Sequence, residues 1–191
     1  MGSRGIDYVD EQFTQKIAEQ AAKENINIVS GAARGVDETA MLASLNAGGT
    51  AIGIMGDSLL KAATASKWRK HLKSGQLVLI SSFYPEAGFN VGNAMARNKY
   101  IYTIANSALV VRADEGKGGT WAGAIENSEN NWVPLFVKQQ SDASGNLVLL
   151  NSGANPLNLQ KTSEPWLAKT LKKTSQIKPN NLPHSSLNLF K

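Results

Sequence analysis

The stretch that decides the fold is Ser30-Gly31-Ala32-Ala33-Arg34-Gly35-Val36-Asp37. Before it stands a short apolar run, residues 26–30, rich in isoleucine and valine. After it comes a helical pattern over residues 36–47, ended by Gly48-Gly49. Strand, glycine-rich turn, helix is the unit from which parallel α/β sheets are built. Small residues let a ligand approach the backbone, and a helix N-terminus offers free N–H donors to an anion. Arg34 adds a planar fork of donors suited to phosphate, and Asp37 in the first helical turn favours the helix dipole. A plain strand-to-helix turn carrying a surface arginine would read the same way, so the rest of the chain must arbitrate.

Outward from this unit the alternation repeats. Residues 50–55, 77–81, 107–112 and 133–138 are short, apolar and partly β-branched, as strands covered on both faces are. Residues 147–150 are expected to add a sixth strand at the edge. Val9, Phe13, Ile17 and Ala21 recur every four residues and predict a helix over residues 8–24. Further helices are expected at 59–72, 91–105 and 120–130. The fold class is therefore α/β: a Rossmann-like, doubly wound, mainly parallel sheet, in a single domain spanning residues 1–150. That fold normally opens with a strand, yet Gly2-Ser3-Arg4 leads directly into the first helix. Either the chain has been shortened or the sheet lacks that strand.

The 191 residues suffice for one domain and a tail, and 42% apolar with 18% charged residues is ordinary for a globular protein. The chain contains no cysteine, which removes disulfides and thiolate nucleophiles from consideration. It shows no leader-like or membrane-length apolar run, so a cytoplasmic location is expected. The net charge of +5 is unevenly spread. Residues 1–150 balance to zero, and residues 151–191 hold six lysines against one acid, Glu164. This segment reads as a polar, basic linker and tail, largely irregular, with one short helix at 165–173 and apolar knots at Trp166-Leu167 and residues 187–190. Such a tail neutralises phosphates without needing a fold, and its removal is expected to leave the domain intact.

Three other segments should share the rim with the Ser30–Asp37 loop, because open α/β sheets bind ligands beyond the carboxyl ends of their strands. They are Gly2-Ser3-Arg4, Arg97-Asn98-Lys99 and Lys117-Gly118-Gly119-Thr120. Arg4, Arg34, Arg97, Lys99 and Lys117 are then five cations available to one groove. Catalytic candidates are few. His71 and His184 lack triad or metal-ligand spacing and read as solvated side chains. There is no Gly-x-Ser-x-Gly elbow, no nucleotide-binding Gly-x-x-x-x-Gly-Lys-[Ser/Thr] loop and no dinucleotide fingerprint. No metal or cofactor is expected. Asp37 and Glu126 are acid–base candidates only beside a ligand. Among the aromatics Phe83, Tyr84, Phe89, Tyr100, Tyr102 and Trp121, the loop-borne Phe89 and Trp121 are the best placed to stack on bases.

In this order and spacing the motifs resemble those of the DNA-processing protein A (DprA/Smf) family, within a superfamily that also holds the lonely-guy (LOG) nucleotide hydrolases. The resemblance rests on Gly2-Ser3-Arg4, the Ser30–Asp37 loop, Gly48-Gly49, Pro85, Phe89, Arg97-Asn98-Lys99 and Gly118-Gly119-Thr120, and covers residues 2–138. It implies a binding protein, not an enzyme. Single-stranded DNA would lie in a basic pocket, a recombinase such as RecA would be the protein partner, and the protein would act as a homodimer in DNA recombination and transformation. The resemblance implies that Arg34, Arg97, Asn98 and Lys99 line the DNA pocket with Lys117 nearby; together with the loop readings, the expected phosphate-binding residues are Gly2, Ser3, Arg4, Ser30, Gly31, Ala33, Arg34, Gly35, Arg97, Asn98, Lys99, Lys117, Gly118, Gly119 and Thr120. Typical members also carry an N-terminal helical domain and often a C-terminal winged helix, and neither is legible here, so the chain reads as a minimal, divergent branch. The alternative is a nucleotide sensor or a LOG-like nucleoside monophosphate phosphoribohydrolase. Its Pro-Gly-Gly-x-Gly-Thr-x-x-Glu signature is broken: Lys117 replaces the proline, and Glu126 lies six residues after Thr120 instead of three.

Overall fold

In the computed structural model, residues 1–162 and 164–174 are described. The chain runs α1 (Tyr8–Lys23), β1 (Ile28–Ser30), α2 (Val36–Asn46), β2 (Ala51–Met55), α3 (Leu59–Thr64), α4 (Ser66–Lys73) and β3 (Leu77–Ser81). It continues through α5 (Val91–Ile104), β4 (Ala108–Val110), α6 (Gly118–Asn130), β5 (Leu135–Lys138), α7 (Ser144–Asn151), β6 (Asn155–Leu157) and α8 (Leu167–Thr174). Every strand pairing is parallel, in two three-stranded sheets ordered β1-β2-β3 and β4-β5-β6. This is the Rossmann-like α/β fold read from the alternation. No helix among the described residues is long and apolar enough to cross a membrane.

The central strands are apolar on both sides because both sides are covered, whereas β3, expected to be covered likewise, leaves Val78 and Ile80 exposed on one face. In β5, Phe136 enters a cluster with Phe13, Ile17 and Val111, while Leu135 and Val137 enter another with Tyr102, Val110 and Trp121. A third cluster joins Met41 and Leu45 of α2 to Trp68 of α4 and Leu77 of β3. Residues 1–3 extend along β4 in the same direction. The Met1 amino group donates to Leu109 O at 2.7 Å, Val111 N to Met1 O at 2.9 Å, and Ser3 N to Arg112 O at 3.0 Å.

Four expectations are corrected. Residues 147–150 form part of α7, not a strand. A run of four apolar residues fits either state by periodicity alone, and here Leu149 is buried while Leu147 is 52% exposed. The sixth strand is β6, whose residues Asn155 to Leu157 pair with Phe136 to Lys138. The helix expected at 59–72 is broken at Ala65, whose extended backbone (φ −66°, ψ 137°) separates α3 from α4. That break lets Trp68 reach the third cluster. His71 is buried, its Nδ1 3.4 Å from Gln76 Oε1, and not solvated.

The fourth correction concerns the boundary at residue 150. Leu157, Trp166 and Leu167 belong to the cluster under α1, so residues 155–174 complete the folded body instead of trailing from it. The short helix expected at 165–173 is α8, and Glu24, just past α1, holds it there. Glu24 Oε1 accepts from the backbone N of Trp166 and Leu167 at 2.9 Å each, and Oε2 from Ala168 N at 2.7 Å. A carboxylate on a helix N-terminus satisfies orphan donors and the dipole together. His184 and the knot at residues 187–190 lie outside the described residues.

A polar network anchors the front of the molecule. Asp10, 1% exposed in the first turn of α1, binds Lys138 Nζ at 2.6 Å and Arg112 Nη1 at 3.1 Å. Arg112 also reaches Asp142 at 2.7 Å and Asp7 at 3.5 Å. Asn146, fully buried, accepts from Ala113 N and donates to Val111 O and Lys138 O. Together they stitch α1 and α7 to the carboxyl ends of β4 and β5. Val9, by contrast, is 62% exposed, so the buried face of α1 runs from Asp10 through Phe13, Ile17 and Ala21.

Removing Asp10 strands a buried lysine without its partner. Asp10→Ala is expected to cost about 3–5 kcal/mol in a denaturant melt, far more than an exposed pair would. Glu24 supplies a pH test. Burial raises its pKa, but the bonds from Gln20 and from the N–H groups of Ala168, Leu167 and Trp166 outweigh that and leave it lowered. Its contribution is therefore present above the ordinary carboxylate value and lost as pH falls through the lower folded value. Melting temperatures of the wild type and Glu24→Gln should differ near neutrality and converge below about pH 4. A gap that widened in acid would contradict the docking role.

Candidate nucleic-acid interface

The rim at the carboxyl ends of the strands is built from the four expected segments, and they meet. At Gly35 the backbone turns through φ +83°, and a Cβ there would lie 2.6 Å from Ser3 O and 2.7 Å from Arg4 O. Only glycine permits this contact, which lays residues 2–4 against the N-terminus of α2. At Gly31 a side chain would collide with the Arg97 guanidinium, so the third segment packs directly on the second. Asn98 Nδ2 donates to Gly119 O at 3.1 Å and ties in the fourth. Ala32, between them, holds a left-handed φ of +52°. Such a conformation costs a non-glycine residue on the order of 1 kcal/mol and concentrates at binding sites.

The cations divide into two groups. Arg97 is buried under Gly31, with Nη1 3.8 Å from Asp37 Oδ2. Burial pulls its pKa down, Asp37 and Asp57 pull it back up, and nearby Arg4 lowers it again. An arginine so placed braces the loop from beneath and does not reach a strand lying outside. Lys99 is exposed but paired with Glu126 at 2.9 Å. Arg4, Arg34 and Lys117 are exposed, and none has an ion pair among the described residues. The five-cation groove reduces to three free charges, one paired lysine and one buried brace.

The aromatics sort likewise. Phe89 is 56% exposed, and the Arg4 guanidinium sits 4.7 Å from its ring centroid. Its loop is pinned by Ser58 N to Ala87 O at 2.7 Å and Leu60 N to Pro85 O at 3.0 Å. Tyr84 and Tyr100 are exposed nearby in sequence, at 70% and 46%. Trp121, expected to stack, is only 8% exposed and packs in the core with Tyr102. The Tyr102 hydroxyl has no hydrogen-bond partner among the described residues, and its pKa is raised chiefly by burial, then by Asp37 and Glu126.

Donors complete the rim. Asp7 caps α1 and Asn90 caps α5. The helices opening on the two glycine loops, α2 and α6, carry no side-chain cap. Ser30 is buried, Ala33 and Thr120 are half-buried, and Gly118 and Gly119 are exposed. No group of three or more His, Cys, Asp or Glu residues placed to hold a metal occurs among the described residues. Composition hid the structural cations Arg112 and Lys138. Their sequence signal is a basic residue immediately closing an apolar strand.

Protein Smf of Synechocystis sp. is 28% identical to this chain over 146 residues, 75% of the chain and 37% of that protein. DNA processing protein A from Streptococcus pneumoniae superposes with a TM-score of 0.70 at 22% identity, over 82% of this chain and 56% of the other. DNA processing protein A from Helicobacter pylori, described for its single-stranded DNA binding mode, gives 0.72 at 24% identity, over 91% and 79%. This chain thus spans well under two thirds of Smf and of the streptococcal protein. The model of the DNA recombination-mediator protein A family matches residues 1–165, through β6 and up to α8, and this chain belongs to that family.

Proposed function

We propose that this chain binds single-stranded DNA across the rim of its sheet and acts in DNA processing as a binding protein without catalysis of its own. The observation that carries the reading is the exposed pair of Arg4 and Phe89, cation over ring at 4.7 Å, on a loop packed against the Arg34 loop. A strand needs phosphate contacts for affinity and flat faces for its bases, and this arrangement supplies both at one place. Arg34 and Lys117 contact phosphates, the open N-termini of α2 and α6 add backbone donors, and Arg97 with Asn98 holds the loops in register.

The hydrolase alternative is less well supported. Glu126, the carboxylate displaced from the signature position, is engaged with Lys99. The likeness to DNA processing protein A of H. pylori, whose structure concerns single-stranded DNA binding, supports the strand as ligand. By the same family resemblance a second copy of the chain and a recombinase are the proposed partners, and the cytoplasm the proposed location.

The test is fluorescence anisotropy with a labelled oligo-dT at two salt concentrations, with AMP as competitor. Binding that weakens steeply with salt and resists AMP is the expected result. Failure to bind the strand, with AMP bound or cleaved, would replace this reading by the nucleotide one. Arg34→Ala should weaken binding on the order of tenfold and reduce the salt slope by about one, with an unchanged melting temperature. Phe89→Ala should also cost roughly tenfold, but with the salt slope intact, because stacking releases no counterion. An Arg34→Ala protein that folds and binds normally would remove Arg34 from the interface.

A further inference from the structure

Outside the rim, the densest run of charge lies on the connection between β2 and β3. Residues 58–85 contain Lys61, Lys67, Arg69, Lys70 and Lys73 and no aspartate or glutamate. All but Lys61 fall within α4. Trp68 and His71 form its buried side, and Trp68 enters the cluster with Met41, Leu45 and Leu77. The opposite face presents Lys67, Arg69, Lys70 and Lys73, all exposed, and no apolar side chain. Lys67 is held by Glu38 at 2.8 Å, and Arg69 donates to Thr64 O at 3.1 Å. Lys70 and Lys73 have no ion pair among the described residues. A solvated helix face ordinarily mixes the two signs, because like charges three or four residues apart repel. On α4 the pairs Lys67–Lys70, Lys70–Lys73 and Arg69–Lys73 all repel, and an anion laid across the face relieves them together.

We propose that the outer face of α4 is a second phosphate-binding surface, which takes the sugar-phosphate backbone of a single strand where it runs off the rim. This surface presupposes the DNA reading of the rim and extends it beyond the four loops. Its place in the fold makes the connection. β2 and β3 run parallel, so the chain between them descends from the carboxyl ends of the strands to the amino ends. α3 starts beside the Phe89 loop, with Ser58 N bonded to Ala87 O and Leu60 N to Pro85 O. Lys67, in the first turn of α4, pairs with Glu38 in the first turn of α2, just past the Arg34 loop. Lys70 and Lys73 follow at steps of about 4.5 Å along the helix, leading away from Arg34. Chemistry selects the occupant. The face has no exposed ring or aliphatic chain to stack on a base, to anchor a protein partner or to enter a lipid surface. Lysine ammonium groups bind phosphate as point charges, without regard to sequence.

The experiment separates bases from phosphates. Anisotropy is measured for the full chain with a labelled oligo-dT hexamer, and with the same hexamer extended at its 5′ or 3′ end by eight abasic sugar-phosphate units. At least one extended strand is expected to bind about tenfold more tightly than the hexamer, although the extension carries no base. In the Lys70→Gln/Lys73→Gln double variant that gain disappears, the salt slope on the extended strand falls by about 1.4, and affinity for the hexamer is unchanged. The melting temperature holds or rises, because two mutually repelling charges are gone. A double variant that keeps the gain overturns the inference and leaves the DNA reading of the rim intact. Equal loss on the hexamer and the extended strand also overturns it, since the two lysines would then act on the rim itself. Removal of the gain by poly-glutamate at a lower concentration of charge than by free abasic phosphate chain would assign the face to an acidic protein instead. A wild type that binds neither the hexamer nor the extended strands would remove the rim reading, and this surface with it.

Discussion

The position of Asp10 governs the front of this molecule. A carboxylate 1% exposed is tolerable only because Lys138 and Arg112 meet it; Lys138 ends β5, and Arg112 lies two residues beyond β4. An apolar replacement could pack as well or better, so the network is poor evidence for stability as such. What it supplies is direction. Asp10 sets the start of α1 over the ends of two particular strands, and Lys138 lies 5.4 Å from the Phe13 ring one turn further along. The loop before α1 then has one course, past Arg112 to the Ser3 backbone. The contact of Gly35 with the carbonyls of Ser3 and Arg4 exists because that course is fixed.

The same economy explains why a region with no net charge can present a basic rim. Residues 1–150 carry as many acids as bases, but several of each are taken up in pairs. Asp10, Asp37 and Glu126 are engaged inward or sideways with Lys138, Arg97 and Lys99. That leaves Arg4, Arg34 and Lys117 at the surface, above two uncapped helix N-termini whose dipoles carry the same sign. Net charge is a poor guide to local potential when part of the charge is buried in pairs.

Five of the six strands among the described residues and most helices were legible in the sequence, because each of those strands is a short apolar run, even β3 with Val78 and Ile80 exposed, and a helix on a sheet has to show a stripe. The misreadings share one cause: residues whose environment depends on distant parts of the chain. Leu147 to Leu150 carry no periodicity of their own, and Asn146 just before them is fixed by bonds to Val111 and Ala113 beyond β4 and to Lys138 of β5. The polar run Asn155 to Leu157 reads as tail but pairs with β5, since an edge strand needs one apolar residue, Leu157. At the site, the convergence of the four segments followed from topology. The burial of Arg97 was also available and was outweighed by its charge: Arg97 and Asn98 stand four residues before Ile101 and Tyr102, and all four lie on the buried face of α5. Trp121 misleads in the opposite way, because a loop-proximal position suggests exposure while its size favours the core.

The interrupted sheet and the rim are two ends of one problem. The Ser30–Asp37 loop hangs from β1, and the Lys117–Thr120 loop hangs from β4, yet among the described residues no strand ladder joins β1 to β4. Their spacing is held instead by what bridges the halves from above: Arg97 against Gly31 and Asp37, Asn98 on Gly119, and Gly2 packed on Val36. Arg97 and Asn98 thus tie the loops of the two halves together, and in the proposed interface they are positioning residues for Arg34 and Lys117.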